Sequence, residues 1–173
     1  MWTGVSIIML LAGICAILGD NVYFDDLSET IRAFTGGGHL FLKDVADPQR
    51  FGVAEIETTN GKHRIVSIEE KPAHPKSPYA ATGCYVYDNR CFEIIRNLKP
   101  SARGEFEITD VSRWYMEQNE LFADLLNDEW IDAGTFDSLF RASEAVRERK
   151  LAQDAAVGSK VEEVMKARIV AGR

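Results

Sequence analysis

Residues 16–26 read AILGDNVYFDD. The apolar run Ala16-Ile17-Leu18 stops at Gly19, and an acid and an amide, Asp20-Asn21, follow at once. In open α/β sheets, ligands bind beyond the carboxyl ends of strands, where such an acid would stand. Asp and Asn also make ordinary turns, so this signal alone is weak. A second stretch has the same pattern. Residues 129–139, EWIDAGTFDSL, end an apolar strand on Asp132, continue through Ala133-Gly134 and open a helix at Thr135. Gly134 permits close approach to the backbone, and Thr135 suits a helix cap. Two carboxylates on neighbouring strand ends suit Mg2+, an octahedral ion usually held by one or two carboxylates plus substrate phosphate oxygens.

The surrounding pattern alternates strands and helices. Residues 5–18, VSIIMLLAGICAIL, read as a buried helix over 5–13 and a short strand over 14–18. The run is too short to span a membrane and lacks the basic start of an export signal. A helix is expected over 25–35, stopped by Gly36-Gly37-Gly38, and a strand over 39–45. Two strands, 51–58 and 63–70, meet at Asn60-Gly61, a strong hairpin signal. A further strand covers 79–87, short helices 91–97 and 108–118, and short strands 121–126 and 129–132. A long helix runs from Thr135 to about 152. The tail 157–170 is expected to be helical, with a capping box at Ser159 and Glu162. The alternation predicts an α/β protein with a mixed sheet.

Composition narrows the partners. The chain has 173 residues and a formal net charge of -7, which argues against nonspecific binding to nucleic acid or an anionic membrane. Its three cysteines, Cys15, Cys84 and Cys91, form no CxxC pair and fit reduced thiols of a cytoplasmic protein. His39, His63 and His74 are scattered and read as loop residues, so no cluster suits a softer metal. P-loop, GxGxxG and GxSxG motifs are absent, which leaves covalent nucleophilic catalysis without a candidate.

Three other stretches carry polar chemistry. In residues 67–89, SIEEKPAHPKSPYAATGCYVYDN, Glu70-Lys71 ends a strand and Pro72, Pro75 and Pro78 fix an extended loop. Lys71 is a compact charge able to meet a phosphate. Glu70 can accept hydrogen bonds from sugar hydroxyls. The bland alternative is a solvated Glu-Lys pair. In RFGVAEI, 50–56, Gly52 weakens a strand unless something must approach the backbone. In LKPSARGEFEITD, 98–110, the carboxylates read mainly as structural, near a helix start.

Taken in order, LGDN, RFGVAEI, SIEEKP, YAATGCYVYDN, LKPSARGEFEITD and WIDAGT resemble the sugar nucleotidyltransferases, and within them the thymidylyltransferase branch, over residues 17–147. The resemblance implies a Rossmann-like nucleotidyltransferase fold with a mixed, mainly parallel sheet. It implies the conversion of dTTP and glucose 1-phosphate into dTDP-glucose and pyrophosphate, toward dTDP-rhamnose. Asp20 and Asp132 match the Mg2+-binding aspartates, and Asn21 a residue near the sugar. Gly52 matches the glycine whose backbone contacts glucose, Glu70 the glutamate on its hydroxyls, and Lys71 the catalytic lysine on phosphate. Ala81 stands where valine usually lines the sugar site. Self-association is a further expectation of the family.

The family's opening glycine-rich loop, LAGGxGTRLxPxT, and its KPM segment do not occur in the sequence. The expected organisation is therefore a truncated nucleotidyltransferase domain over 1–153 and a divergent helical tail over 154–173, with impaired turnover. A UTP-using enzyme of the same family and a non-catalytic sugar-phosphate-binding remnant are the alternatives.

Overall fold

The computed structural model describes residues 5–10, 12–101 and 103–171, with side chains from residue 6 to residue 157. It divides into two compact units, 1–132 and 133–173. Among the described residues the first unit holds nine strands: β1 (Val5–Met9), β2 (Gly13–Leu18), β3 (Asn21–Tyr23), β4 (Gly38–Asp44), β5 (Gly52–Thr59), β6 (Lys62–Glu70), β7 (Tyr79–Asp88), β8 (Leu121–Leu125) and β9 (Trp130–Asp132). Its helices are α1 (Ser28–Ala33), α2 (Cys91–Asn97) and α3 (Ile108–Glu117). The second unit is dominated by α4 (Phe136–Ala171).

Seven strands form one sheet in the order β1-β2-β7-β4-β8-β6-β5, and β3 pairs with β9 in a separate ribbon. The α/β class with a mixed sheet holds. The balance of pairings differs from the expectation of a mainly parallel sheet, because β4–β8 is the one parallel pair among the described strands. Tight turns join β1 to β2 and β5 to β6, and a tight turn returns the chain antiparallel to itself. The Asn60-Gly61 turn, with φ of 51° and 75°, joins β5 to β6 as its sequence predicts.

The helix expected over 5–13 is instead strand β1, paired from Val5↔Leu18 to Met9↔Ile14. A short apolar run fits helix or strand equally by pattern. Here the β-branched Ile7 and Ile8 and the turn at Gly13 favour the hairpin, closed by Leu10 N–H to Gly13 O at 2.8 Å. Gly13 lies so close to β7 that a Cβ there would sit 1.9 Å from Tyr87 O. The expectation of burial fails as well: Ile7, Ile8 and Met9 are 61%, 48% and 68% exposed on the sheet's edge.

Strand β7 lies inside the large sheet, and eight of its ten residues are buried. Period-two alternation sends its side chains into two cores. Tyr85 and Tyr87 join Leu40, Leu42, Ile65, Val111 and Tyr115 on one side. Cys84 and Val86 join Cys15, Phe41, Leu126 and Trp130 on the other. The Tyr87 and Tyr115 rings stack at 5.3 Å, and the Tyr87 and Ser112 hydroxyls bond at 2.6 Å. All three cysteines are unbridged and buried. His39 and His63 lie in β4 and β6, not in loops, and only His74 occupies a connection. His39 opens the apolar run of β4, and His63 follows the Asn60-Gly61 turn opposite Thr58, so pairing with neighbouring strands takes both into the sheet; His39 Nε2 lies 3.4 Å from Asp124 Oδ1.

In the second unit Thr135 and Ser138 cap α4 reciprocally. Ser138 N–H reaches Thr135 Oγ1 at 3.1 Å, and Thr135 N–H reaches Ser138 Oγ at 3.0 Å. The helix continues through the tail without a second start, because no residue between 136 and 171 breaks it. The Ser159 and Glu162 side chains lie outside the described residues. Among the described residues no helix is long and apolar enough to cross a membrane.

Two outcomes follow for stability. Burial alone would raise the Asp88 carboxyl. Hydrogen bonds from the Arg90 guanidinium, the Gly37 N–H and the Tyr115 hydroxyl outweigh it and hold the pKa at about 2. A depressed folded-state pKa stabilises above the unfolded value and is lost as pH falls through the folded one. Unfolding free energies from urea titrations should therefore fall between about pH 4 and pH 2, by about 1 kcal/mol after discounting for solvent screening. Asp88→Asn should flatten that slope, and an unchanged slope would refute the assignment. A charge at the bare edge should block strand addition: Ile8→Lys is expected to leave the melting temperature within about 2 °C and to lower light scattering at high concentration.

Candidate active site

A cavity of about 230 Å³ in the first unit is lined by Asp20, Asn21, Gly52, Glu70, Lys71, Ala81 and Asp132, the residues that the family resemblance assigns to the site; Gly134 is not among its lining. Backbone pairing explains how acids 112 positions apart meet there. Asp20 stands in the turn between β2 and β3. Residue Asn21 then pairs with Asp132 across the β3–β9 ribbon. The end of one strand and the end of the other thus open on the same space.

Side chains fix the acidic end. Asn21 Nδ2 donates to Asp20 Oδ1 at 2.9 Å, and Trp130 Nε1 donates to Asn21 Oδ1 at 2.7 Å. Gly83, at φ 70°, makes room for this amide, since a Cβ there would lie 2.8 Å from Asn21 Nδ2. Arg50 Nη2 is 3.6 Å from Asp132 Oδ2, and Arg50 Cζ lies 5.1 Å from the centre of the Phe51 ring. Phe51 in turn meets Trp130 edge to face at 5.1 Å.

The opposite wall is built on β5, β6 and α3. Gly52 pairs with Glu70 across the hairpin. A Cβ at Gly52 would stand 3.3 Å from Glu70 Oε2 and 3.2 Å from Thr109 Oγ1, so glycine keeps this wall open. The buried Thr109 hydroxyl donates to Glu70 Oε2 at 2.5 Å. Glu70 Oε1 faces Lys71 Nζ and Arg103 Nη1, each at 3.9 Å. These are loose contacts at the edge of the ion-pair range. Lys71 adopts φ 44°, and its N–H is held by Phe51 O at 2.9 Å. A left-handed lysine costs on the order of 1 kcal/mol, and such strain clusters at ligand sites. Ala81 lies buried on β7 at the floor.

Four lining carboxylates, Asp20, Glu70, Glu107 and Asp132, meet two lining cations, Arg50 and Lys71, and Arg103 Nη1 stands 3.9 Å from Glu70 Oε1 and 3.4 Å from Glu107 Oε1. The site keeps a negative excess at the Asp20 and Asp132 end, where a cation would offset it. The donors are all oxygen, which suits Mg2+. Among the described residues no three His, Cys, Asp or Glu side chains form a metal cluster. A cation here would need oxygens from substrate or water beside Asp20 and Asp132, which is the usual Mg2+ arrangement.

Five residues of this site escape sequence reading. Gly83 had a usable signal, a glycine within an aromatic and β-branched strand. Arg50 and Trp130 sat inside motifs quoted for their neighbours. Thr109 and Arg103 also sat inside a quoted motif, 98–110, but its carboxylates drew the reading toward a structural role, and a helix-start threonine and a loop arginine are ordinary until Glu70 is seen beside them.

A model of the nucleotidyl transferase family matches residues 5–149. Glucose-1-phosphate thymidylyltransferase of Neisseria meningitidis serogroup A is 44% identical over 140 residues, 78% of this chain and 48% of that protein. The enzyme of the same name from Mycolicibacterium smegmatis is 45% identical over 147 residues, 82% of this chain and 50% of that one. The chain thus spans about half the length of the curated relatives it matches. A Bacillus anthracis structure, provisionally assigned as a glucose-1-phosphate thymidylyltransferase and solved with a sucrose, superposes with a TM-score of 0.67 at 47% identity, covering 76% of this chain and 53% of that one. UDP-glucose pyrophosphorylase, 23% identical with a TM-score of 0.68, shares the Rossmann-like fold. With its six motifs in order, its mixed sheet and a match covering residues 5–149, the chain belongs to the nucleotidyl transferase family.

Proposed function

We propose that this chain forms the sugar-phosphate side of a glucose-1-phosphate thymidylyltransferase, the enzyme that joins dTTP and glucose 1-phosphate into dTDP-glucose and pyrophosphate. The observation that carries this reading is the single cavity in which Asp20, Asp132, Glu70 and Lys71 converge. The phosphate oxygen of the sugar attacks the α-phosphorus of the nucleotide in line, the bond to the β-phosphate oxygen breaks, and pyrophosphate leaves. No covalent enzyme intermediate is needed, so positioning and charge neutralisation supply the rate.

Each wall has a part in that reading. Glu70, with one oxygen held by Thr109, offers the other to sugar hydroxyls. The open backbone at Gly52 admits the ring, and Ala81 lines its apolar edge. Lys71 meets the phosphate, its backbone held at φ 44°. Asp20 and Asp132 would hold Mg2+, which when bound neutralises phosphate charge. Asn21 borders the sugar. The remaining expectations belong to the same reading: a product used for dTDP-rhamnose, a cytoplasmic location consistent with three unbridged thiols, and self-association.

The 173-residue polypeptide carries no glycine-rich loop to cradle a triphosphate. Its pyrophosphate release from dTTP and glucose 1-phosphate is expected to be at least ~10²-fold below that of a full-length relative. Binding should survive. Calorimetry should detect glucose 1-phosphate in the presence of Mg2+, and dTDP-glucose should raise the melting temperature more than UDP-glucose. Asp132→Asn should abolish the Mg2+ dependence, and Gly83→Ala should weaken glucose 1-phosphate by displacing Asn21. Heat absent with every ligand would end the proposal.

A further inference from the structure

We infer that Trp130 is a positioning residue whose indole N–H orients the Asn21 amide and, through it, aims the Asp20 carboxylate at a divalent cation. The cation rests on the function proposed above; the orientation rests on hydrogen bonds of the free chain.

The argument begins with the two ends of an amide. An asparagine side chain offers an acceptor oxygen at one end and a donor NH2 at the other, whereas an indole nitrogen only donates. Trp130 Nε1 lies 2.7 Å from Asn21 Oδ1, so the oxygen must face the indole. The NH2 is thereby turned to Asp20 Oδ1, at 2.9 Å. Reversing the amide would set donor against donor at Trp130 and acceptor against carboxylate at Asp20, losing both bonds. One oxygen of Asp20 is thus tied, and the other is left for an ion. Neighbours that hold a carboxylate ligand in this way tune metal affinity.

The indole is itself well anchored. Trp130 is 8% exposed, packs edge to face on Phe51 at 5.1 Å, and pairs with Tyr23 across the β3–β9 ribbon. It stands two residues before Asp132 on the same strand. The Gly83 backbone closes on the other side of the amide, where a Cβ would lie 2.8 Å from Asn21 Nδ2. Trp130 therefore ties both acids to one rigid ring, one through the chain and one through Asn21.

Trp130→Phe removes the N–H and keeps an aromatic ring. The probe is Mn2+, followed by water-proton relaxation on the whole chain, with melting curves as a check on folding. Trp130→Phe is expected to raise the Mn2+ Kd about 10-fold, and Asn21→Ala, which leaves the ring in place, by a similar factor. The double variant should bind no more weakly than Asn21→Ala alone, because both act through one link. An unchanged Kd in Trp130→Phe, or additive losses in the double variant, would overturn the inference. A second measurement needs no metal. The Asn21 side-chain NH2 should give dispersed, slowly exchanging NMR signals in the wild type and lose both properties in Trp130→Phe. Unaltered signals overturn the inference equally. Absence of Mn2+ binding by the wild type, with the NH2 signals behaving as stated, would instead defeat the cation in the proposed function and leave the orienting role standing.

Discussion

Three backbone pairs, Asn21↔Asp132, Val22↔Ile131 and Tyr23↔Trp130, hold together what the rest of the site requires. Without that ribbon the acid after β2 and the acid at the end of β9 would belong to separate parts of the chain. The ribbon is only three residues long on each side, too short for independent stability. Its support comes from side chains. Ile131 is fully buried, Trp130 packs into the core beneath β7, and the Tyr23 hydroxyl donates to Thr82 O on β7 itself. The most buried strand of the large sheet therefore also anchors the small one.

The site adds unfavourable local terms to this frame. It gathers like charges, holds Lys71 at positive φ, and keeps glycine at two positions where a side chain would fill the space. None of these favours the free chain. Each becomes useful once a ligand supplies the missing positive charge, occupies the space above Gly52 or meets the lysine. The pattern agrees with the general observation that proteins depart from local preference where they bind. The paired interactions elsewhere, such as the Arg90, Tyr115 and Gly37 contacts to Asp88, conform to ordinary stabilising chemistry and lie away from the cavity.

The edge strand illustrates the limit of reading by pattern. Residues 5–9 carry no charge, proline or glycine to decide between helix and strand. Their conformation depends on the neighbouring β2, whose own place beside β7 is set by the close passage of Gly13. The same holds for the sheet's direction: each strand was readable, whereas its partner and sense were not. Pairing joins residues far apart, such as His39 with Val86, and no local period encodes that choice.

Sequence by itself determined the elements with strong local signals and the chemical identity of the ligand-facing groups. The Asn60-Gly61 turn, the strand that stops just before Asp20, the one that ends on Asp132, and the Glu70-Lys71 dipeptide are legible because turn chemistry and alternation act over a few residues. Tertiary structure alone decided which groups face one another. Thr109 reaches Glu70, Trp130 reaches Asn21 and Arg50 reaches Asp132 through contacts that span up to 109 positions. Such contacts exist only after the sheet has assembled, because hydrogen bonds and charges act over a few ångströms in space, whatever the distance along the chain.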